Sequence, residues 1–511
     1  MNALYPVAAK ALQEIGRRED ALLVCGAPDG LDAAAFAAAL RLRGGVGLFV
    51  TRDESRAASA EAVMGFFAPE LETVRLPGWD NLPYDRISPT PAVAAQRTAV
   101  LARLAKRKDG EPPLCVVATV SGITQRAAPR ARVGAASFSA AAGAIVDTEE
   151  LEKYLQVNGY GRAGTVRAPG DFAIRGGVID VFPPGAKEPI RFDFFGDRLE
   201  SIRGFDPETQ RSTQQLKRAD LTPVSEVLLD DESVRRFRAK FVDTFGVGAD
   251  QMYEAVTAHI RRQGVEQWLP YFYERLETVF DYAGAAAIIG LEHLAEDACK
   301  ERFDQAKEHF EARKAAPVIR GASPFRAPAP DHLYLSPAAL AESLAGLRVR
   351  RFTPFDEPAR VRIDLNAKPG RNFAAERAMA DVNVFEIAAQ HVRALARGGK
   401  RVVLAAWTEG SSERLAAVMA DHGLKDVKAV PAWSQTLALK ASEIALAVLP
   451  LEHGFEGEDV AILCEQDVLG DRLARPRKKR RAAGLIAEAA ALAPGDLIVH
   501  ADHGIGRYDG L

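Results

Sequence analysis

Apolar and polar positions follow two different periods along the chain, and the places where the period changes divide it. Ala21 to Cys25 is a short apolar run, Leu31 to Leu42 an alanine-rich stretch of helical spacing, and Gly47 to Thr51 a second apolar run. Cys115 to Val120 repeats the run after a helix-patterned Val93 to Lys106. Strands that alternate with helices predict a parallel sheet covered by helices. From about residue 135 to about residue 220, glycine, proline and alternate-residue patterning replace the helical period, which predicts a strand-rich α+β insert. Charged, helix-favouring sequence runs from Glu226 to Lys314, interrupted by the apolar run Ala283 to Leu291. Ala315 to Pro330 carries several prolines and reads as a linker or surface crossing. A second α/β pattern follows: a helix over Phe373 to Arg397, a strand over Arg401 to Ala406, a helix over Ser411 to His422, and strands over Ala445 to Leu449 and Val460 to Cys464. The closing PGDLIVHADHGIGRYDGL is a strand with glycine-punctuated turns, too short to bury a core, so the polypeptide is expected to be part of a longer one.

Composition narrows this picture. At about 150 residues per domain, 511 residues call for three or four domains. Lys and Arg number 66 against 69 Asp and Glu, a net charge of -3, so any contact with nucleic acid must come from a local patch. The one dense basic run is ARPRKKRR, with Arg475, Arg477, Lys478, Lys479, Arg480 and Arg481. It is a candidate for salt-sensitive phosphate contact on DNA, and equally a solvated linker kept extended by self-repulsion. Cys25, Cys115, Cys299 and Cys464 lie far apart with no CxxC pair, and three sit in apolar runs, which points to buried thiols and not to zinc or disulfides. The N-terminus lacks a signal-peptide pattern and no run reaches 18 apolar residues, so a cytoplasmic protein without a membrane segment is expected.

Chemistry is suggested in three places and fails in each. LLVCGAPDGLDAAAFAAAL has the strand, glycine loop and helix layout that receives phosphates. Counted from Gly26, however, Leu31, Asp32 and Ala33 stand where a P-loop needs glycine, lysine and Ser or Thr. With Gly26, Gly30 and Asp32 the loop is a degenerate one, and the expectation is an N-capped structural helix with no bound cofactor. Glu465 and Asp467 end a strand as magnesium-binding acids do, but no phosphate loop precedes them, so solvated acids are expected. His500 and His503 are too few for a metal site. No catalytic or metal-ligating set is assigned.

The most specific stretch runs from Gly170 to Ser212. Alternation places Ile190, Phe192 and Phe194 on one face of a strand and Arg191, Asp193 and Phe195 on the other. Gly196-Asp197 is a two-residue turn, and Arg198 to Arg203 returns as the partner strand. An aromatic side chain four residues from an arginine on an open face is the composition of a protein-docking surface. The alternative is that Phe195 packs under a neighbouring loop and Arg191 is a solvated or ion-paired charge.

IRGGVIDVFPPG, IRFDFFGDRLESIRGFDPETQRS, LPGWDNLPYDRISP and PGDLIVHADHGIGRY together resemble the transcription-repair coupling factor family, in the family's order and over nearly the whole chain. The first three also resemble UvrB, the damage-loading helicase. The resemblance implies an α/β multidomain fold. Residues 1–134 would be a UvrB-like, degenerate RecA-like (P-loop NTPase-like) parallel-sheet domain, 135–222 an inserted UvrA-binding domain, and 223–340 the rest of the UvrB-like module. Residues 341–369 would be a linker, 370–470 a further α/β domain, 471–493 a basic linker, and 494–511 the start of a small β-barrel domain that meets RNA polymerase. It further implies UvrA gripped by Arg175, Arg191 and Phe195. In the family, ATP and magnesium serve a motor that moves on double-stranded DNA and displaces stalled polymerase in transcription-coupled nucleotide excision repair, and the motifs of that motor are absent here. The polymerase-contacting strands are mostly absent too, so no residue is assigned that role. The rival readings are a UvrB-type ATP-dependent enzyme and a truncated chain without function.

Overall fold

A computed structural model describes residues 7–316, 325–379, 381–440, 443–470, 497–500 and 504–507. The chain divides into two units, Met1–Val468 and Leu469–Leu511. The first is α/β, built on three sheets of six or seven strands and a two-stranded antiparallel pairing of Phe138–Ala141 with Arg218–Leu221.

The first sheet has seven strands in the order Arg362–Asp364, Leu22–Cys25, Arg348–Phe352, Ile288–Leu291, Val46–Thr51, Leu114–Thr119, Glu72–Leu76, and every pairing is parallel. Its interior strands are apolar runs because a parallel sheet is covered on both faces; every residue of Leu114–Thr119 is buried. The Leu31–Arg43 helix is buried without interruption from Leu31 to Leu40. Its alanines permit this: a Cβ at Gly16 would sit 3.0 Å from the Ala39 carbonyl, so the Ala9–Arg17 helix crosses it almost backbone to backbone.

One part of this sheet was left unassigned by the sequence and one differs from the expectation. The apolar run within the helix-favouring stretch is the central strand Ile288–Leu291, paired with Arg348–Phe352 and Val46–Thr51. The stretch read as a linker, 341–369, contributes two further strands of the sheet. Arg348–Phe352 reads as polar because Arg350 lies within it, yet Arg350 is fully buried and donates to the carbonyls of Ile15 (2.6 Å), Asp20 (2.9 Å) and Arg18. These carbonyls lie at and just beyond the C-terminal end of the first helix, where a cation is favoured.

The insert is a six-stranded sheet in the order Ser212–Leu216, Arg198–Phe205, Ile190–Phe195, Val178–Val181, Asp171–Arg175, Gly161–Arg162. It is antiparallel except at its last pairing. One face packs Phe172, Ile179, Phe192, Leu199 and Ile202 against Leu151 and Leu155 of the Thr148–Val157 helix. At the point where the chain leaves the insert, buried Glu226 accepts a 2.6 Å hydrogen bond from buried Arg97, which also donates to the carbonyls of Pro77, Gly122 and Gln125.

The third sheet runs Lys368–Pro369, Phe455–Glu456, Val460–Cys464, Arg401–Ala406, Ile444–Val448, Val427–Ala429, parallel among its last four strands. The helix expected over Phe373 to Arg397 is two helices, Ala374–Arg377 and Val384–Arg397, the second capped by the Asn383 side chain. All four cysteines are buried as free thiols. Among the described residues no helix is long and apolar enough to cross a membrane.

In the second unit, Leu497–His500 and Gly504–Arg507 form an antiparallel hairpin. The basic run, Arg475 to Arg481, the linker 471–493 and His503 lie outside the described residues, and no closed barrel is seen among those described.

Candidate functional site

The glycine loop before the Leu31–Arg43 helix is closed to phosphate from two sides. Gly30 takes φ +93° and leaves the helix N-terminus open, but the carboxylate of Asp32 turns back and accepts from the amides of Gly30 (2.8 Å) and Ala33 (2.7 Å). Those amides are the donors a phosphate would use. Thus the cap comes from Asp32 inside the helix and not from the N-cap position, where glycine has no side chain to offer. Asp32 is held in turn by Arg56 at 3.4 Å, which donates to Glu292 at 3.1 Å. Arg52 reaches Asp29 at 3.4 Å and Glu292 at 3.3 Å. Burial pushes the Asp32 carboxyl up to about 6 and that of Glu292 up to about 7, against the opposing pull of Arg56.

The second closure comes from the third sheet. A Cβ placed on Gly30 would meet Leu451 at 3.1 Å and Phe455 at 3.4 Å, and both of these side chains are buried in one core with Leu31, Ala33 and Ala34. Trp433 extends that core, its ring 5.2 Å from Phe67. A triphosphate therefore does not fit: its donors are taken by a carboxylate and its volume by two hydrophobic side chains.

Glu465 and Asp467 are buried, contrary to the expectation of solvated acids. Asp467 accepts 2.9 Å hydrogen bonds from the amides of Gly454 and Cys464 and faces His453 at 3.2 Å, so it closes a loop of the third sheet. No group of three or more His, Cys, Asp or Glu suited to a metal occurs among the described residues.

The inserted sheet presents a different kind of surface on the face away from its helix. Register aligns Ala173, Asp180, Arg191, Arg203 and Gln215 in one cross-strand row, and Arg175, Val178, Asp193 and Ser201 in the next. Asp180 is 1% exposed and accepts two hydrogen bonds from Arg191, Nε to Oδ1 at 2.7 Å and Nη2 to Oδ2 at 2.9 Å. The Arg191 guanidinium also lies 4.7 Å over the ring of buried Phe205. This bidentate bond raises the Arg191 pKa beyond its ordinary value, in spite of partial desolvation. Arg175 approaches the same carboxylate at 3.9 Å and donates to the Gly164 carbonyl and, at 3.3 Å, to Thr165 Oγ1. Arg203 is fixed likewise by Asp193 at 2.7 Å. Phe195 ends its strand beside the turn at Gly196, which takes φ +58°, and its side chain is 77% exposed.

The three residues singled out in the sequence thus stand on one face. Phe195 is bare, Arg175 is half exposed, and Arg191 is more deeply set, with its side chain 18% exposed. Asp180 and Phe205 escaped the sequence reading although they hold Arg191 in place, whereas Asp193, which alternation had put on this face, holds Arg203. Alternation in VIDV does put Asp180 opposite Ile179 and Val181, and that was the available signal.

Comparison with known proteins adds three family matches: the UvrB interaction domain over residues 138–226, the MFD D3 domain over residues 395–468, and the CarD-like/TRCF RID domain over residues 492–511. The chain is similar to the transcription-repair-coupling factor of Haemophilus influenzae, 28% identical over 94% of this chain and 41% of that protein. The corresponding figures are 28%, 86% and 37% for Escherichia coli, and 25%, 83% and 36% for Bacillus subtilis. The chain spans well under half the length of each of these relatives.

Proposed function

Since this chain corresponds to the N-terminal part of the transcription-repair coupling factor family, we propose that it is the portion that recruits the damage-recognition protein UvrA, through Arg175, Arg191 and Phe195. The observation that carries this reading is Phe195, an aromatic side chain 77% exposed at the end of a strand whose neighbouring arginine is held rigid by a buried carboxylate. Large rigid anchors beside fixed guanidinium groups are the residue types that dominate binding energy at interfaces, because little conformational entropy is lost when a partner covers them.

In the whole protein, recruitment would be coupled to ATP-driven movement on double-stranded DNA and to displacement of RNA polymerase stalled at damage. The match over residues 492–511 supports a polymerase-facing domain that begins there. In the family, a motor that uses ATP and magnesium would lie in the part of the protein that this chain does not span. A UvrB-type ATPase within this chain is disfavoured by Asp32, Leu451 and Phe455, which occupy the donors and the space a nucleotide requires.

The test is binding of the 511-residue chain to purified UvrA. Arg191→Ala and Phe195→Ala should each weaken it by about 2 kcal/mol, a hot-spot amount. Undiminished binding by both variants removes the assignment.

A further inference from the structure

The docking face does not end at Phe195. Ile145, from the segment that precedes the Thr148–Val157 helix, forms an antiparallel bridge with Arg198, and Arg198 is the register partner of Phe195. The bridge is closed by Val146 N donating to the Asp197 carbonyl at 2.8 Å and Leu199 N donating to the Ala144 carbonyl at 2.9 Å. With those bonds flanking it, Ile145 and Arg198 are a non-hydrogen-bonded pair, the closer of the two antiparallel pairings. Directly paired residues project from the same face, so Phe195, Arg198 and Ile145 make one cross-strand row. Val146 and Leu199, one residue along, turn to the opposite face and join the core of the insert. Ile145 is 78% exposed and Phe195 77%, and Arg198 is exposed between them. Two strand spacings set the isoleucine and the phenylalanine on the order of 10 Å apart.

We infer that Ile145 and Arg198 complete the docking surface, and that the partner presents a carboxylate flanked on both sides by apolar hollows, one for Phe195 and one for Ile145. Charge complementarity selects this occupant. The paired rows of the face hold Arg175, Arg191, Arg198 and Arg203 against Asp180 and Asp193, with Glu200 exposed at the bulge beyond Arg198, and Asp180 is buried beneath its arginines. The face is therefore basic, and a second copy of the same face would oppose arginine to arginine. Apolar side chains exposed this fully, one on each side of an exposed guanidinium, gain most when an acidic surface with matching hollows covers them. The inference rests on the proposed recruitment of UvrA and extends that surface by one strand.

The experiment measures binding of the 511-residue chain to UvrA for the wild type, Ile145→Asp, Ile145→Ala, Arg198→Glu, Phe195→Ala and the control Val247→Asp, a site 94% exposed and outside the insert. Ile145→Asp and Arg198→Glu should each weaken binding at least 10-fold, Ile145→Ala less, and Val247→Asp not at all. Arg198→Glu should also flatten the salt dependence of the association rate. All these positions are exposed, so unfolding midpoints should stay at the wild-type value. Loss on Phe195→Ala with wild-type binding by both Ile145 variants and Arg198→Glu overturns the extension and leaves the recruitment reading standing. Wild-type binding by every variant overturns the extension together with the assignment of Phe195, and no binding by the wild type overturns the recruitment reading itself. Self-association that Ile145→Asp abolishes, with UvrA binding unchanged, overturns the choice of occupant.

Discussion

Asp180 grips Arg191 with both carboxylate oxygens, at 2.7 and 2.9 Å, from a position that solvent hardly reaches. The carboxylate touches no open surface, yet it sets the direction of a guanidinium that does. Asp180→Asn keeps the shape and removes the charge and one acceptor. Hydrogen bonds to charged groups contribute about 1.5–3 kcal/mol, and the partial exposure of Arg191 places this one toward the low end. Urea unfolding should show that loss of stability, and UvrA affinity should fall as well, although the substituted atoms lie beneath the interface.

Phe455 and Leu451 fill the space over the glycine loop. Truncating a buried phenylalanine to alanine costs about 3–5 kcal/mol, and Phe455→Ala should show a cost of that size in its denaturation midpoint. Asp32→Lys would restore the P-loop lysine but set a cation against Arg56. It should destabilise the chain and bind no ATP in equilibrium dialysis; measurable ATP binding by this variant would refute the closure of the loop.

Protonation offers an independent probe of the same cluster. Burial pushes the Asp32 carboxyl up to about 6 and that of Glu292 up to about 7 in the folded protein, above the ordinary 3.8 and 4.5. In the window between those values the folded state holds protons that the unfolded chain has released, so this contribution to stability is complete at acid pH and is lost as pH rises toward 7. Unfolding free energies measured between pH 4.5 and 7.5 should therefore fall less steeply in Glu292→Gln than in the wild type. The difference between the two curves should be at least on the order of 1 kcal/mol, since each tenfold change in proton affinity on folding corresponds to about 1.4 kcal/mol. Parallel curves would mean that Arg56 keeps Glu292 ionised.

The Arg97 and Glu226 pair joins the helix Pro91–Lys106 to the point where the chain leaves the insert. Removing one member of a buried ion pair strands the other, at about 3–5 kcal/mol. Arg97→Met and Glu226→Gln should each show a loss of that order by chemical denaturation. The double variant should lose less than the sum of the two, because no charge then remains unpaired.

Local patterning was sufficient for much of this architecture. The apolar runs of the first and third sheets are strands because strands covered on both faces need continuous apolar sequence, and that need is written in a few consecutive residues. Alternation likewise placed Arg191 and Phe195 on one face of their strand, since the side-chain period of two is a property of the backbone. Arg348–Phe352 was not legible in this way. Its buried arginine is satisfied by carbonyls of Ile15, Arg18 and Asp20, more than 300 residues earlier, and no local window contains them.

Residue types and their spacing are enough to establish that the glycine loop lacks the lysine and hydroxyl of a phosphate site, that the chain is α/β with a strand-rich insert, and that an aromatic and an arginine share a face. Tertiary structure alone decided what fills the loop, which carboxylate holds which arginine, and that Ile145 stands in line with Phe195. Those three depend on cross-strand register and on contacts between segments hundreds of residues apart, which are set by the packing of whole elements against one another.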